Sequence, residues 1–146
     1  MFKHLLICTD GSPLGNKAAK AGIDLAHALG ARVTAYYAIE QLQMIYDEGY
    51  MMNQKTIDGL EEGARKAGQK RVDAISKMAK AAGVPFASVV TNASAAYEGI
   101  IDAAKKRKCD VIFMASHGRR GLSKLIMGSV TQKVLAHSTI PVVVYR

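Results

Sequence analysis

The chain has 146 residues, 49% of them hydrophobic and 22% charged, with a formal net charge of +8. That length suits one domain, able to bury roughly 68–70% of the surface its unfolded form exposes, and no apolar run approaches the ~18 residues of a membrane span. Two cysteines, Cys8 and Cys109, are too few and too far apart for a disulfide framework or a zinc cluster, and the N-terminal MFKHLLICTDGS runs from a short apolar stretch straight into a turn, so no secretory signal and a cytoplasmic protein are expected.

Lys3 to Cys8 is apolar and β-compatible, and Asp10-Gly11 bounds it as a strand. Ser12 followed by Pro13 fits an N-cap with proline at the first helical position. Ala18, Ala19, Gly22, Ile23, Ala26 and Leu29 then recur at helical spacing up to Gly30, a C-cap. Arg32 to Ile39, rich in Val, Thr and Tyr, is the second strand. From Glu40 to Asn53 no period is clean, and a mobile connection is expected. A long helix follows, its face traced by Ile57, Leu60, Ala64, Ala67, Arg71, Ile75, Met78 and Ala82 to a stop at Gly83. The glycines at 59, 63 and 68 weaken it by up to ~1 kcal/mol each relative to alanine. Pro85 precedes a third strand, Phe86 to Thr91. Asn92 or Ser94 can cap a helix running through Ile100, Ile101 and Ala104 to Lys105-Lys106-Arg107-Lys108, where cations meet the helix dipole. Val111 to Ala115 is the fourth strand, the helix from Gly128 carries Val130, Val134 and Leu135, and Pro141 opens the terminal strand Val142 to Tyr145. This βαβαβαβαβ alternation implies parallel strands, right-handed crossovers and helices on both faces of one sheet.

Val111 to Val130, VIFMASHGRRGLSKLIMGSV, joins a strand, a glycine loop and a helix start. Glycines let backbone N–H groups approach an anion, and the first turn of a helix offers unpaired N–H groups with partial positive charge, so phosphate is the expected guest. The chain contains neither G-x-x-x-x-G-K-[ST] nor G-x-G-x-x-G, which leaves out P-loop ATPases and dinucleotide-binding enzymes. It does contain Gly118, nine residues, then Gly128-Ser129. With the LLICTDGS opening and the PVVVYR ending, this resembles the universal stress protein family, whose ATP-binding members carry G-x-x-G-x9-G-[ST] in the loop after the fourth strand. Gly118, Gly128 and Ser129 match, and Ala115 stands in place of the first glycine.

The resemblance covers essentially the whole chain and implies a single-domain α/β, Rossmann-like three-layer fold with a five-stranded parallel sheet of order 3-2-1-4-5. It places an adenine nucleotide at the switch point between strands one and four, beyond their carboxyl ends, so Asp10 and the Gly118 loop should meet. By the same resemblance the nucleotide is ATP or AMP, optionally with Mg2+, and it touches Thr9, Asp10, Ala38, Ala115, Gly118, Gly128, Ser129 and Val130. A homodimer through strand five, acting on unidentified protein partners, is also implied. The methyl of Ala115 is expected to weaken binding without abolishing it.

Several of these residues have second readings. Asp10 can fix the turn Thr9-Asp10-Gly11-Ser12 or bond a nucleoside. Ser129 can be an N-cap, which is compatible with phosphate at the same helix end. Arg119 and Arg120 are possible phosphate contacts or solvated loop cations. His117 has no metal-ligand spacing to His4, His27 or His137 and is expected to face solvent. No nucleophile elbow, Walker lysine or paired metal-binding carboxylates accompany Ser116-His117, so no catalysis beyond slow, incidental ATP hydrolysis is expected. The basic charge has no aromatic stacking motif behind it, and nucleic acid is not an expected partner. Two functions are left: a nucleotide-binding stress sensor, and a nucleotide-free module for protein interaction.

Overall fold

A computed structural model of the chain describes residues 1–41, 53–118 and 126–146. Along them run β1 (His4–Cys8), α1 (Pro13–Leu29), β2 (Arg32–Glu40), α2 (Gln54–Ala81), β3 (Phe86–Ala93), α3 (Ala96–Lys106), β4 (Val111–Ala115), α4 (Ser129–His137) and β5 (Val142–Tyr145). The strands form one parallel sheet in the order β3-β2-β1-β4-β5. β1 lies at its centre, paired through Leu5 to Val33 on one side and to Val111 on the other.

Because successive side chains on a strand point to opposite faces, the near-continuous apolar runs of the central strands feed two cores. Leu5, Ile7, Val33, Ala35, Val111 and Phe113 pack with Ala19 and Ile23 of α1 and Val72 and Ile75 of α2. Leu6, Cys8, Tyr36, Ile112 and Met114 pack with Ile100 and Ala104 of α3 and Val134 of α4. This is the three-layer arrangement expected from the alternation. Among the described residues no helix is long and apolar enough to cross a membrane.

The sequence punctuation of α1 is realised fully. Ser12 caps it, its Oγ accepting from the Gly15 N–H at 3.0 Å, Pro13 opens it, and Gly30 closes it at φ 63°. Four expectations need correction. The buried stripe of α2 is Gly68, Val72, Ile75 and Ala79, while Leu60 is 45% exposed, so the helix is turned by about one position from the expected face and its first half stands off the core. Gly68 sits where a Cβ would lie 2.7 Å from Tyr37 Cδ1 and 3.0 Å from Val90 Cγ1, so this glycine is a close-approach site, not a weak point. Neither Asn92 nor Ser94 caps α3: β3 continues to Ala93, Ala95 occupies the cap position, and the Ala96 N–H donates instead to Glu40 Oε1 at 3.2 Å. In α4, Leu135 is 43% exposed, outside the core set by Val134. Of the stretch from Glu40 to Asn53, Glu40 ends β2 and Asn53 caps α2 through the Thr56 N–H at 2.9 Å; residues 42–52 lie outside the described residues.

Candidate functional site

Beyond the carboxyl ends of β1, β2 and β4 lies a cavity of about 890 Å3, within the ordinary range of small-molecule sites. Its position follows from topology: the chain leaves β1 toward β2 on one side and β4 lies on the other, so the connecting loops diverge and leave a crevice.

The β1–α1 turn is one wall. Thr9 Oγ1 accepts from the Gly11 N–H at 3.0 Å and Asp10 Oδ1 from the Ser12 N–H at 2.9 Å, with Gly11 at φ 77°. Asp10 therefore does fix this turn, and it also lines the cavity. Gly118 reaches it from β4's loop: a Cβ on Gly118 would run into the Asp10 carboxylate, so only glycine permits this approach. The expected meeting of Asp10 with the Gly118 loop is thus present. Ala38 lines the cavity from β2, and Ala115, Gly128, Ser129 and Val130 line it from the β4–α4 side. Arg119 and Arg120 lie outside the described residues.

The start of α4 is held against the end of β4 by one backbone and one side-chain hydrogen bond. Gly128 N–H donates to the Ser116 carbonyl at 2.8 Å, and Thr131, which is buried, donates its hydroxyl to the Ala115 carbonyl at 3.0 Å. Ala115 keeps its pairing with Tyr145 to the end of the strand, and its methyl packs toward the α1 and α2 core. The N-cap is Gly128, and Ser129, read as a cap from the sequence, is the first helical residue. This matters chemically. The N-termini of α1 and α2 are capped by the side chains of Ser12 and Asn53, and that of α3 is met by Glu40, whereas α4 begins at a glycine with no side-chain cap. Its first-turn N–H groups at Ser129, Val130 and Thr131 have no acceptor among the described residues, at the rim of the cavity.

Three contributors were missed by local reading. His117, expected to face solvent, lines the cavity, and its Nδ1 is 3.1 Å from Ser116 Oγ. Thr131 bonds across to β4, and Arg71 arrives from α2 to bond the Asp10 carbonyl. Only Arg71 left a signal, as a cation on a face otherwise read as apolar. Cys8 also lines the cavity, but burial pushes its thiol well above the usual range; Cys109, likewise buried, is pushed up to about 11. Both are free thiols held protonated, which makes neither a nucleophile at neutral pH.

A doubly wound α/β domain with an anion-ready helix start at its switch point is the class that this fold and cavity define. The model of the universal stress protein family matches residues 1–146, and the chain belongs to that family. It is 30% identical to a universal stress protein of Thermus aquaticus, with the whole of both chains covered. To one from Methanocaldococcus jannaschii it is 29% identical, covering 100% of this chain and 83% of that one. Among solved structures, MJ0577 of the same archaeon superposes with a TM-score of 0.84 at 23% identity, covering 99% of this chain and 95% of that one. A universal stress protein in complex with cAMP gives 0.70 at 21% identity, covering 99% and 97%. One from Archaeoglobus fulgidus in complex with dAMP gives 0.62 at 14%, covering 100% and 98%.

Proposed function

We propose that this universal stress protein binds an adenine nucleotide, ATP or AMP, in the cavity at the β1/β4 switch point and works as a dimeric sensor whose occupancy is read by protein partners. The observation that carries the reading is the uncapped start of α4 at Gly128, facing a cavity shared with Thr9, Asp10 and Ala38. Its free N–H groups and dipole suit a phosphate, and an uncompensated helix end in a cavity is otherwise costly. Asp10 and the backbone of Thr9 and Ala38 supply hydrogen-bonding groups for the base and ribose, and apolar walls exclude water from the base. The complexes of two structural neighbours with cAMP and dAMP are consistent with an adenine ligand. With ATP, Mg2+ is expected on the phosphates. The role is binding, with no more than incidental hydrolysis.

The homodimer rests on β5, which among the described residues pairs only with β4 and leaves its other edge open; self-pairing across a two-fold axis would close it. A nucleotide-free interaction module is the second reading, favoured by Ala115 standing at the first glycine position of the motif that the loop resembles.

Calorimetric titration of ATP and AMP into the wild type and Ala115→Gly separates the two. Saturable binding is expected in both proteins, with affinities within about threefold of each other, since the Ala115 methyl packs toward the core and its removal opens little of the cavity. No heat with either nucleotide in either protein would leave the interaction module as the function.

A further inference from the structure

The first half of α2, which stands off the core, builds a second end of the cavity. Ala64, Ala67 and Arg71 recur at helical spacing and line it beside Tyr37 and Ile39. The two alanines give this end of the cavity an apolar wall, and Arg71 borders it. Its guanidinium lies over the Tyr37 ring, Cζ 4.9 Å from the centroid, and Nη1 donates both to the Asp10 carbonyl and to Tyr37 Oη, the latter at 3.2 Å. Gly11 makes room for it, since a Cβ there would sit 2.9 Å from Arg71 Nε.

A ring on one side and two acceptors at one nitrogen hold this plane still. Nε and Nη2 meet no acceptor among the described residues. Arg71 is also the only permanently charged cation among the described lining residues, and it sits against the Asp10 carbonyl. A fixed, half-buried plane with unmatched donors, bordering an apolar wall, suits a heteroaromatic base that carries ring-nitrogen acceptors.

We infer that Arg71 is a ligand-contacting residue that reads the base of the bound nucleotide: its guanidinium, anchored on Tyr37 and the Asp10 carbonyl, borders the purine at this end of the cavity and donates to a ring nitrogen. This deepens the nucleotide reading above and rests on it.

The experiment measures ATP and UTP affinities by calorimetry for the wild type, Arg71→Met and Arg71→Lys, with urea unfolding midpoints alongside. Arg71→Met is expected to lose about ten- to hundredfold in ATP affinity, while UTP, whose smaller base reaches this end of the cavity poorly, loses less, so the preference for ATP narrows. Arg71→Lys keeps the charge but not the plane and should behave like Arg71→Met. Unchanged ATP affinity in Arg71→Met overturns the inference. Equal losses for ATP and UTP, or full rescue by lysine, also overturn it, because they assign Arg71 to the phosphates or to the overall field. A fall in unfolding midpoint matched by equal losses for both nucleotides makes it a structural residue. A wild type that binds no nucleotide overturns the site reading itself, an outcome distinct from a wild type that binds and an Arg71 series that does not respond.

Discussion

Three glycines on α2 carry opposite expectations, although a propensity scale treats them alike. Gly59 and Gly63 have nothing within 4 Å of the point a Cβ would occupy, so alanine there meets open space. Each substitution should stabilise by about 0.5–1 kcal/mol through the lower entropy of the unfolded chain. At Gly68 the same methyl would lie 2.7 Å and 3.1 Å from two Tyr37 ring atoms and 3.0 Å from Val90 Cγ1. The ring is not a floppy chain end, because its hydroxyl meets Arg71 and the guanidinium lies on its face. Overpacking of this kind costs ~1–3 kcal/mol, against a helix gain of ~0.8–1 kcal/mol. Gly68→Ala should therefore destabilise by about 1 kcal/mol net, and stand about 2 kcal/mol below Gly63→Ala. Urea unfolding followed by circular dichroism reads this directly: with a slope of ~2 kcal/mol/M, the two midpoints should differ by about 1 M. If Gly68→Ala stabilises as much as Gly63→Ala, α2 does not approach β2 at Tyr37, and the end of the cavity built on that approach is refuted.

Gly118→Ala should push the Asp10 carboxylate aside and weaken nucleotide binding by at least about tenfold; unchanged affinity in a calorimetric titration would remove Asp10 from the site. Burial, and then Arg32, hold the His4 imidazolium below its usual pKa, with Arg107 acting the same way and the Lys108 carbonyl and Asp110 opposing. The unfolded chain therefore takes up this proton first, and stability is retained above pH ~6.5 and lost as pH falls below it, by at most ~1.4 kcal/mol per pH unit. Urea midpoints between pH 7.5 and 5.5 should fall more steeply in the wild type than in His4→Gln, and equal slopes would contradict this. Val144→Pro removes an N–H donor from the edge of β5 that faces away from β4 and should give monomer in light scattering; an unaltered dimer would place the interface elsewhere.

The fold was legible where chemistry is local. Ser12-Pro13 and Gly30 delimit α1 because capping and left-handed closure involve only near neighbours, and the apolar runs of β1 and β4 announce strands covered on both faces. The strand order came from resemblance, since no local pattern specifies which strand lies beside β1. Where the reading failed, tertiary contact decided. Glu40, from β2, satisfies the start of α3 in place of Asn92 or Ser94, and Gly68 belongs to the buried face only because Tyr37 and Val90 press on it. In the site, Gly118 and Gly128 were visible as glycines ahead of a helix, but Arg71, His117 and Thr131 act across gaps that spacing cannot reveal.

The central claim is the place where the nucleotide binds, and amide chemical-shift mapping of the labelled protein during titration with AMP tests it most directly. The account predicts the largest shifts at the amides of Gly128, Ser129 and Val130 around the phosphate, with a second group at Thr9, Asp10, Ala38 and Gly118 around the nucleoside. Saturable binding that moves amides elsewhere and leaves the α4 N-terminus unshifted would contradict it.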